Sequence, residues 1–132
     1  MEFNFGKTYS GQEVAEYMVD ITPMEYYKPE HSADVAREHE FILLELEVDD
    51  VLDIIADDVG AMEYLEDPIP RYYGSDFEGF YYFEDEVPID GIEENDLYNP
   101  IVIADGILLD GYSRLSEHIL NNIETINVFI AK

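Results

Sequence analysis

The sequence predicts a single compact α+β domain, a small mixed sheet with flanking helices, and three observations lead there. Apolar residues alternate along 41–48 and again along 125–130, the period of a pleated strand. Residues 101–109 read as two short apolar strands around Asp105-Gly106. Apolar residues at helical spacing follow Ser10 and Gly111. A chain of 132 residues supplies one hydrophobic core and is too short for two.

In chain order, Ser10-Gly11-Gln12-Glu13 fits a capping box, with Ser10 as N-cap and Glu13 reaching back. Val14, Tyr17, Met18 and Ile21 follow, predicting a first helix over 11–20. Pro23 and Pro29 bracket a loop holding Tyr26 and Tyr27, and Ser32 is the cap of a short second helix ending near Glu40. The strand over 41–48 is expected to turn Ile42, Leu44, Leu46 and Val48 one way, and Leu43, Glu45 and Glu47 the other. Asp49 or Asp50 is then a good N-cap for a helix carrying Val51, Leu52, Ile54 and Ile55. Gly60 weakens that helix, and a further turn through Met62 and Leu65 runs into Pro68 and Pro70.

The middle of the chain, 71–99, is rich in aromatics, among them Tyr72, Tyr73, Phe77, Phe80, Tyr81, Tyr82, Phe83 and Tyr98. Residues 80–83 suit a strand. The cluster reads either as core and hairpin packing or as a contact surface of tyrosines and carboxylates. Downstream, 101–104 and 107–109 form a hairpin on the Asp105-Gly106 turn, and Asp110-Gly111 opens a helix bearing Leu115, Ile119 and Ile123. Asn121-Asn122 suits a helix stop, and the final strand sets Ile126, Val128 and Ile130 on one face.

Composition bounds the function. Hydrophobic residues make up 47% of the chain and aromatics 14%, so high charge is not joined by the low hydrophobicity that disorder requires. With no cysteine, disulfides and thiolate chemistry are excluded. The first residues lack the basic start and apolar run of a signal peptide, and no stretch has spanning length. A cytoplasmic setting without membrane contact is the expectation, the host cytoplasm if the chain is phage-encoded.

Charge is the dominant datum. Thirty-two Asp and Glu face six Lys and Arg, for a formal net charge of −26. No Lys or Arg lies between Arg37 and Arg71, where Asp49, Asp50, Asp53, Asp57, Asp58, Glu63, Glu66 and Asp67 stand. None lies between Arg71 and Arg114 either, across Asp76, Glu78, Glu84, Asp85 and Glu86. These acids run through folded-looking sequence and form no detachable tail. Such a surface repels phosphate and excludes direct nucleic-acid binding.

Residues Asn99-Pro100-Ile101-Val102-Ile103-Ala104-Asp105-Gly106-Ile107-Leu108-Leu109-Asp110-Gly111-Tyr112-Ser113-Arg114-Leu115 resemble the signature of the ParB/sulfiredoxin-like superfamily. The shared pattern is a Pro-Ile-Val strand, an Asp-Gly turn, a second strand, and an Asp-Gly-x-x-Arg-Leu run into a helix. The strand over 124–130 continues it, and 41–50 resembles the family's opening strand with an Asp-capped helix. The resemblance implies a core of 41–56 and 99–131, a helical N-terminal extension over 1–40, and an acidic, aromatic-rich insertion over 57–98. It also implies a phosphate site of Asp110, Gly111, Ser113 and Arg114, with backbone N–H groups at a helix N-terminus and an arginine in its first turn. Ser113 stands where active members carry His or Arg, and Tyr112 where a sulfiredoxin carries its cysteine, which excludes sulfiredoxin chemistry.

His31, His39 and His118 are scattered, without the spacing of a zinc site or a catalytic triad. No EF-hand, P-loop, GxGxxG or Gly-x-Ser-x-Gly pattern is present. Neither a metal nor a cofactor is expected. The principal expectation is a non-catalytic nucleic-acid mimic that binds and inhibits a basic DNA- or RNA-binding protein, such as a restriction, CRISPR or repair enzyme. In this it resembles the small acidic inhibitors of phages and mobile elements. Its contact residues would be Asp49, Asp50, Asp53, Asp57, Asp58, Glu63, Glu66, Asp67, Asp76, Glu78, Glu84, Asp85 and Glu86, with Tyr81 and Tyr82. The alternative is a ParB-like nucleotide-binding protein or enzyme using Asp110–Arg114. Halophilic adaptation is a third account of the acidity, and nothing in the sequence argues against a homodimer.

Overall fold

The computed structural model describes residues 3–21, 30–66 and 98–132. The elements are β1 (Thr8–Ser10), α1 (Gly11–Ile21), α2 (Glu30–Ala36), β2 (Glu40–Glu47), α3 (Val48–Ile54) and α4 (Val59–Glu66). After them come β3 (Ile101–Ala104), β4 (Ile107–Asp110), α5 (Tyr112–Leu120) and β5 (Thr125–Ala131). This is an α+β domain whose five strands run in the order β1-β2-β5-β3-β4. The sheet is mixed: β5 and β3 pair in parallel, and every other pair is antiparallel.

Strand alternation divides the core in two. Phe41, Leu43, Val102, Ala104, Leu109 and Phe129 turn to the face covered by α1 and α2, where they meet Val14, Tyr17, Met18, Ala33 and Ala36. Ile101, Ile103, Leu108, Ile126 and Val128 turn to the other face and pack with Val51, Ile55, Ala61 and Leu115 of the α3–α5 side. Helices on both faces explain why β3, Ile101–Ala104, reads as a continuous apolar run and is buried throughout.

Several local signals act as expected. Ser10 and Glu13 close the capping box reciprocally: the Ser10 N–H donates to Glu13 Oε1 at 2.9 Å, and the Glu13 N–H to Ser10 Oγ at 3.1 Å. Asp105 (φ 55°) and Gly106 (φ 77°) both occupy the left-handed region, as a two-residue type I′ hairpin requires. Asn122 (φ 57°) ends α5, with the Ile123 N–H on His118 O at 2.9 Å and the Asn122 N–H on Ile119 O at 3.2 Å. That pair of bonds is a Schellman stop with asparagine in place of glycine.

Other expectations are corrected. Ser32 does not cap α2, which begins at Glu30; burial of Ala33 and Ala36 beside α1 sets this helix instead. Neither Asp49 nor Asp50 is the cap of α3. The Val48 N–H is held by Glu124 O at 2.8 Å, so the chain turns helical at once and Glu47 takes the cap position without a side-chain bond. Asp49 and Asp50 sit in the first turn, where the positive end of the helix favours them. Strand β2 alternates as expected: Phe41 and Leu43 on one face are fully buried, while Ile42, Leu44 and Leu46 on the other are half-buried. Ile119 is exposed on α5 and Ile123 follows the helix, so Leu115 alone of the expected stripe is a buried helical residue. The expected strand over 80–83 and the breaks at Pro68 and Pro70 lie outside the described residues. The three-residue strand β1 was not anticipated; it lengthens the sheet by pairing Tyr9 with Phe41.

Candidate functional site

The Asp110–Arg114 run sits where the end of β4 turns into α5. Gly111 is the N-cap at φ 107°, and a Cβ there would lie 2.4 Å from Ile101 Cγ2 and 3.2 Å from Ile101 Cα. Glycine is therefore required by the close approach of β3 as well as by the backbone angle. Arg114, one turn in, points inward and is only 7% exposed. Its Nη2 donates to Asp110 Oδ2 at 2.9 Å. Its Nη1 donates to Pro100 O at 2.8 Å, the Tyr17 hydroxyl at 3.0 Å and Asn99 O at 3.2 Å. The Tyr17 hydroxyl in turn donates to Pro100 O.

Burial alone would lower the Arg114 pKa, but Tyr17 and Asp110 outweigh it and hold the guanidinium above its ordinary value. Asp110, 6% exposed, is the carboxylate that balances this cation at neutral pH. The network joins α1 on one face of the sheet to α5 on the other, through the chain entering β3. Its chemistry is that of a satisfied internal ion pair.

Ser113 is half-buried, with Oγ 3.3 Å from the Tyr64 hydroxyl, and the Tyr64 and Tyr112 rings meet edge to face at 5.3 Å. Thus the structure brings Asp110, Gly111 and Arg114 together as a packed junction, with Ser113 directed to α4. One turn further, His118 is 1% exposed and its Nδ1 lies 2.7 Å from Arg114 O. A carbonyl only accepts, so Nδ1 carries the proton. Burial lowers the His118 pKa, with the Arg114 cation adding to the effect; the hydrogen bond to Arg114 O and Glu117 oppose it. His39 is half-buried with Nε2 3.6 Å from Asp105 Oδ2.

The acidic residues divide by environment. Asp49, Asp50, Asp53, Asp57, Glu63 and Glu66 are all exposed on α3, α4 and the turn between them. Asp58 is not on that surface. It is buried, accepting the Ala61 N–H at Oδ1 (3.2 Å) and the Leu108 N–H at Oδ2 (2.9 Å). One carboxylate thus caps α4 and covers an outward N–H of the edge strand β4. An Asp just before a helical run is the sequence signal of such a cap, and the expected surface role of Asp58 is corrected. Asp67, Asp76, Glu78, Tyr81, Tyr82, Glu84, Asp85 and Glu86 lie outside the described residues.

The described cations are equally segregated. Lys7 lies over the Tyr9 ring, Arg37 bonds Gln12 and Asp34, and Lys132 approaches Thr8 and Glu40. All three flank β1, α2 and the outer end of β2. Among the described residues, α3, α4, α5, β3 and β4 carry no exposed Lys or Arg. No group of three or more His, Asp or Glu among them stands in position to hold a metal ion. No described helix is long and apolar enough to cross a membrane. Compared with known proteins, the chain matches no family model, no curated protein and no solved structure.

Proposed function

We propose that this protein is a non-catalytic acidic binding protein that occupies the basic groove of a DNA- or RNA-binding protein in place of nucleic acid. The observation that carries the reading is the one-signed surface of α3 and α4. Asp49, Asp50, Asp53, Asp57, Glu63 and Glu66 are exposed there with no described cation to neutralise them. Carboxylates on short, packed helices form a fixed array, so a basic partner meets a preorganised anion. Long-range steering by a net charge of −26 makes association fast and salt-sensitive. Duplex DNA carries about one charge per ~1.7 Å of axis, so the total corresponds to roughly a dozen base pairs.

The ParB/sulfiredoxin-like resemblance of 99–131 is retained as a proposal about scaffold ancestry, supported by the strand–turn–strand–helix–strand order of β3, β4, α5 and β5. Engagement of Arg114 with Asp110, Tyr17 and Pro100 weighs against a nucleotide site there. The test is competition. A basic nucleic-acid-binding protein captured by this chain is expected to lose its duplex DNA, and added DNA or moderate salt should reverse capture. A captured partner that keeps its DNA undisturbed would refute mimicry. Calorimetric binding of ATP, ADP or CTP with Mg²⁺, abolished by Arg114→Lys in a variant that stays folded, would restore the nucleotide reading.

A further inference from the structure

An open sheet carries a liability at its edges: alternate residues of an edge strand turn their N–H and C=O groups outward, where a second strand can pair with them. Here the edge strands are β1 and β4. Strand β4 runs the greater risk, because Ile107-Leu108-Leu109 is an uncharged aliphatic run without proline. Strand β1 is three residues long and polar at Thr8 and Ser10.

A carboxylate closes each edge. The N–H of Leu108, which stands opposite Ile103 in the ladder, leaves the sheet for Asp58 Oδ2 at 2.9 Å. The N–H of Ser10, which stands opposite Glu40, leaves it for Glu13 Oε1 at 2.9 Å. Both closures are joined to a helix cap. Asp58 Oδ1 accepts the Ala61 N–H at the start of α4, and Ser10 Oγ accepts the Glu13 N–H at the start of α1. Each cap ties a helix start to a strand, so the carboxylate is already held where the outward N–H emerges.

We propose that Asp58 and Glu13 are edge plugs that keep this protein a monomer by denying its sheet to a further strand. The inference is independent of what the acidic surface binds. A net charge of −26 also drives copies apart, but salt screens that repulsion. The plugs act at any ionic strength, and Asp58, being buried, is the better shielded of the two. With Ser10 engaged, too little of β1 is left for another strand to pair along.

The experiment is sedimentation velocity on the full chain in about 1 M salt, where the Debye length is ~3 Å and repulsion between copies is screened. Asp58→Ser keeps an N-cap for α4 but has one short hydroxyl in place of two carboxylate oxygens, so it releases the Leu108 N–H. Glu13→Ala releases the Ser10 N–H and leaves the Ser10 Oγ cap in place. Two controls change the charge by the same unit: Asp57→Ser alters an exposed neighbour, and Glu13→Gln retains an oxygen that accepts the Ser10 N–H. The unmodified chain and both controls are expected to sediment as monomers. Asp58→Ser is expected to self-associate at least tenfold more tightly, to dimers. Glu13→Ala should do so more weakly, and the double variant, open at both edges, should assemble beyond the dimer. A folded Asp58→Ser chain that stays monomeric overturns the proposal, as does association of the unmodified chain or Asp57→Ser to the same extent. Equal sedimentation of Glu13→Ala and Glu13→Gln overturns the β1 plug, a comparison that stands even where Asp58→Ser does not fold.

Discussion

The two helical layers cover opposite faces of one sheet and solve the charge problem differently. Beside α1 and α2, charges are paired locally: Arg37 with Asp34 and Gln12, Lys132 with Thr8 and Glu40, and Glu13 with the Ser10 N–H. On the α3–α5 side the described cation is Arg114, and it is buried. The exposed acids there are held by packing beneath them, through Val51, Ile55, Ala61 and Leu115, and by two buried carboxylates that act as connectors. Asp58 fastens α4 to β4, and Asp110 balances Arg114. The difference teaches that a one-signed surface is tolerated when the layer under it is fastened by internal polar bonds rather than by surface ion pairs, which contribute little.

Arg114→Ala tests that contrast most severely. It removes the link between the layers and strands Asp110 in the interior, so a loss of about 3–5 kcal/mol is expected in urea denaturation. A loss below about 1 kcal/mol would mean the network behaves like an exposed pair and the contrast fails.

Asp58→Ala should cost about 2–4 kcal/mol, combining a lost helix cap with a Leu108 N–H left unpaired. Hydrogen exchange should localise the change to α4 and β4. Gly111→Ala should follow at about 2–3 kcal/mol, from the left-handed backbone and the collision with Ile101. A neutral outcome would mean that β3 and the turn are not tightly packed.

His118 gives a pH dependence confined to the α5 side. Its folded pKa lies below the ordinary value, so the unfolded chain takes up the proton first. Stability is therefore expected to be unaffected by this group above about pH 6.5 and to fall as pH drops below it. The slope from one proton is at most about 1.4 kcal/mol per pH unit. His118→Gln should flatten that slope between about pH 5 and 6.5, above the range where carboxylates titrate. An unchanged slope would assign it to other groups.

The smallest effect belongs to the opposite layer. Ser10→Ala should cost about 1 kcal/mol through the capping box, with little dependence on salt. A larger loss than that of Asp58→Ala would reverse the ranking of the two layers.

Features closed within a few residues were legible in advance. The Ser10–Glu13 box, the Asp105-Gly106 turn and the Asn121-Asn122 stop each depend on backbone angles and bonds spanning six residues or fewer. The two faces of β2 follow from alternation, but which one is more deeply buried was not legible, because apolar residues occupy both and only the partners on each side decide it. The burial of Asp58 is not legible locally, because its second partner, Leu108, lies 50 residues away. Arg114 could be expected to meet a carboxylate four residues back. Its bond to Tyr17 across 97 residues belonged to no local pattern.

The sequence by itself determined an α+β chain with a net charge of −26, an Asp-Gly hairpin and a helix-opening glycine, since composition and short-range geometry are properties of neighbouring residues. Only the tertiary structure decided which carboxylates are surface and which are connectors. It placed the exposed described cations beside β1, α2 and the start of β2, turned Arg114 inward, and fastened α4 to β4 through Asp58. The physical reason is that burial and pairing are set by segments meeting across the sheet, and those meetings leave no periodic trace along the chain.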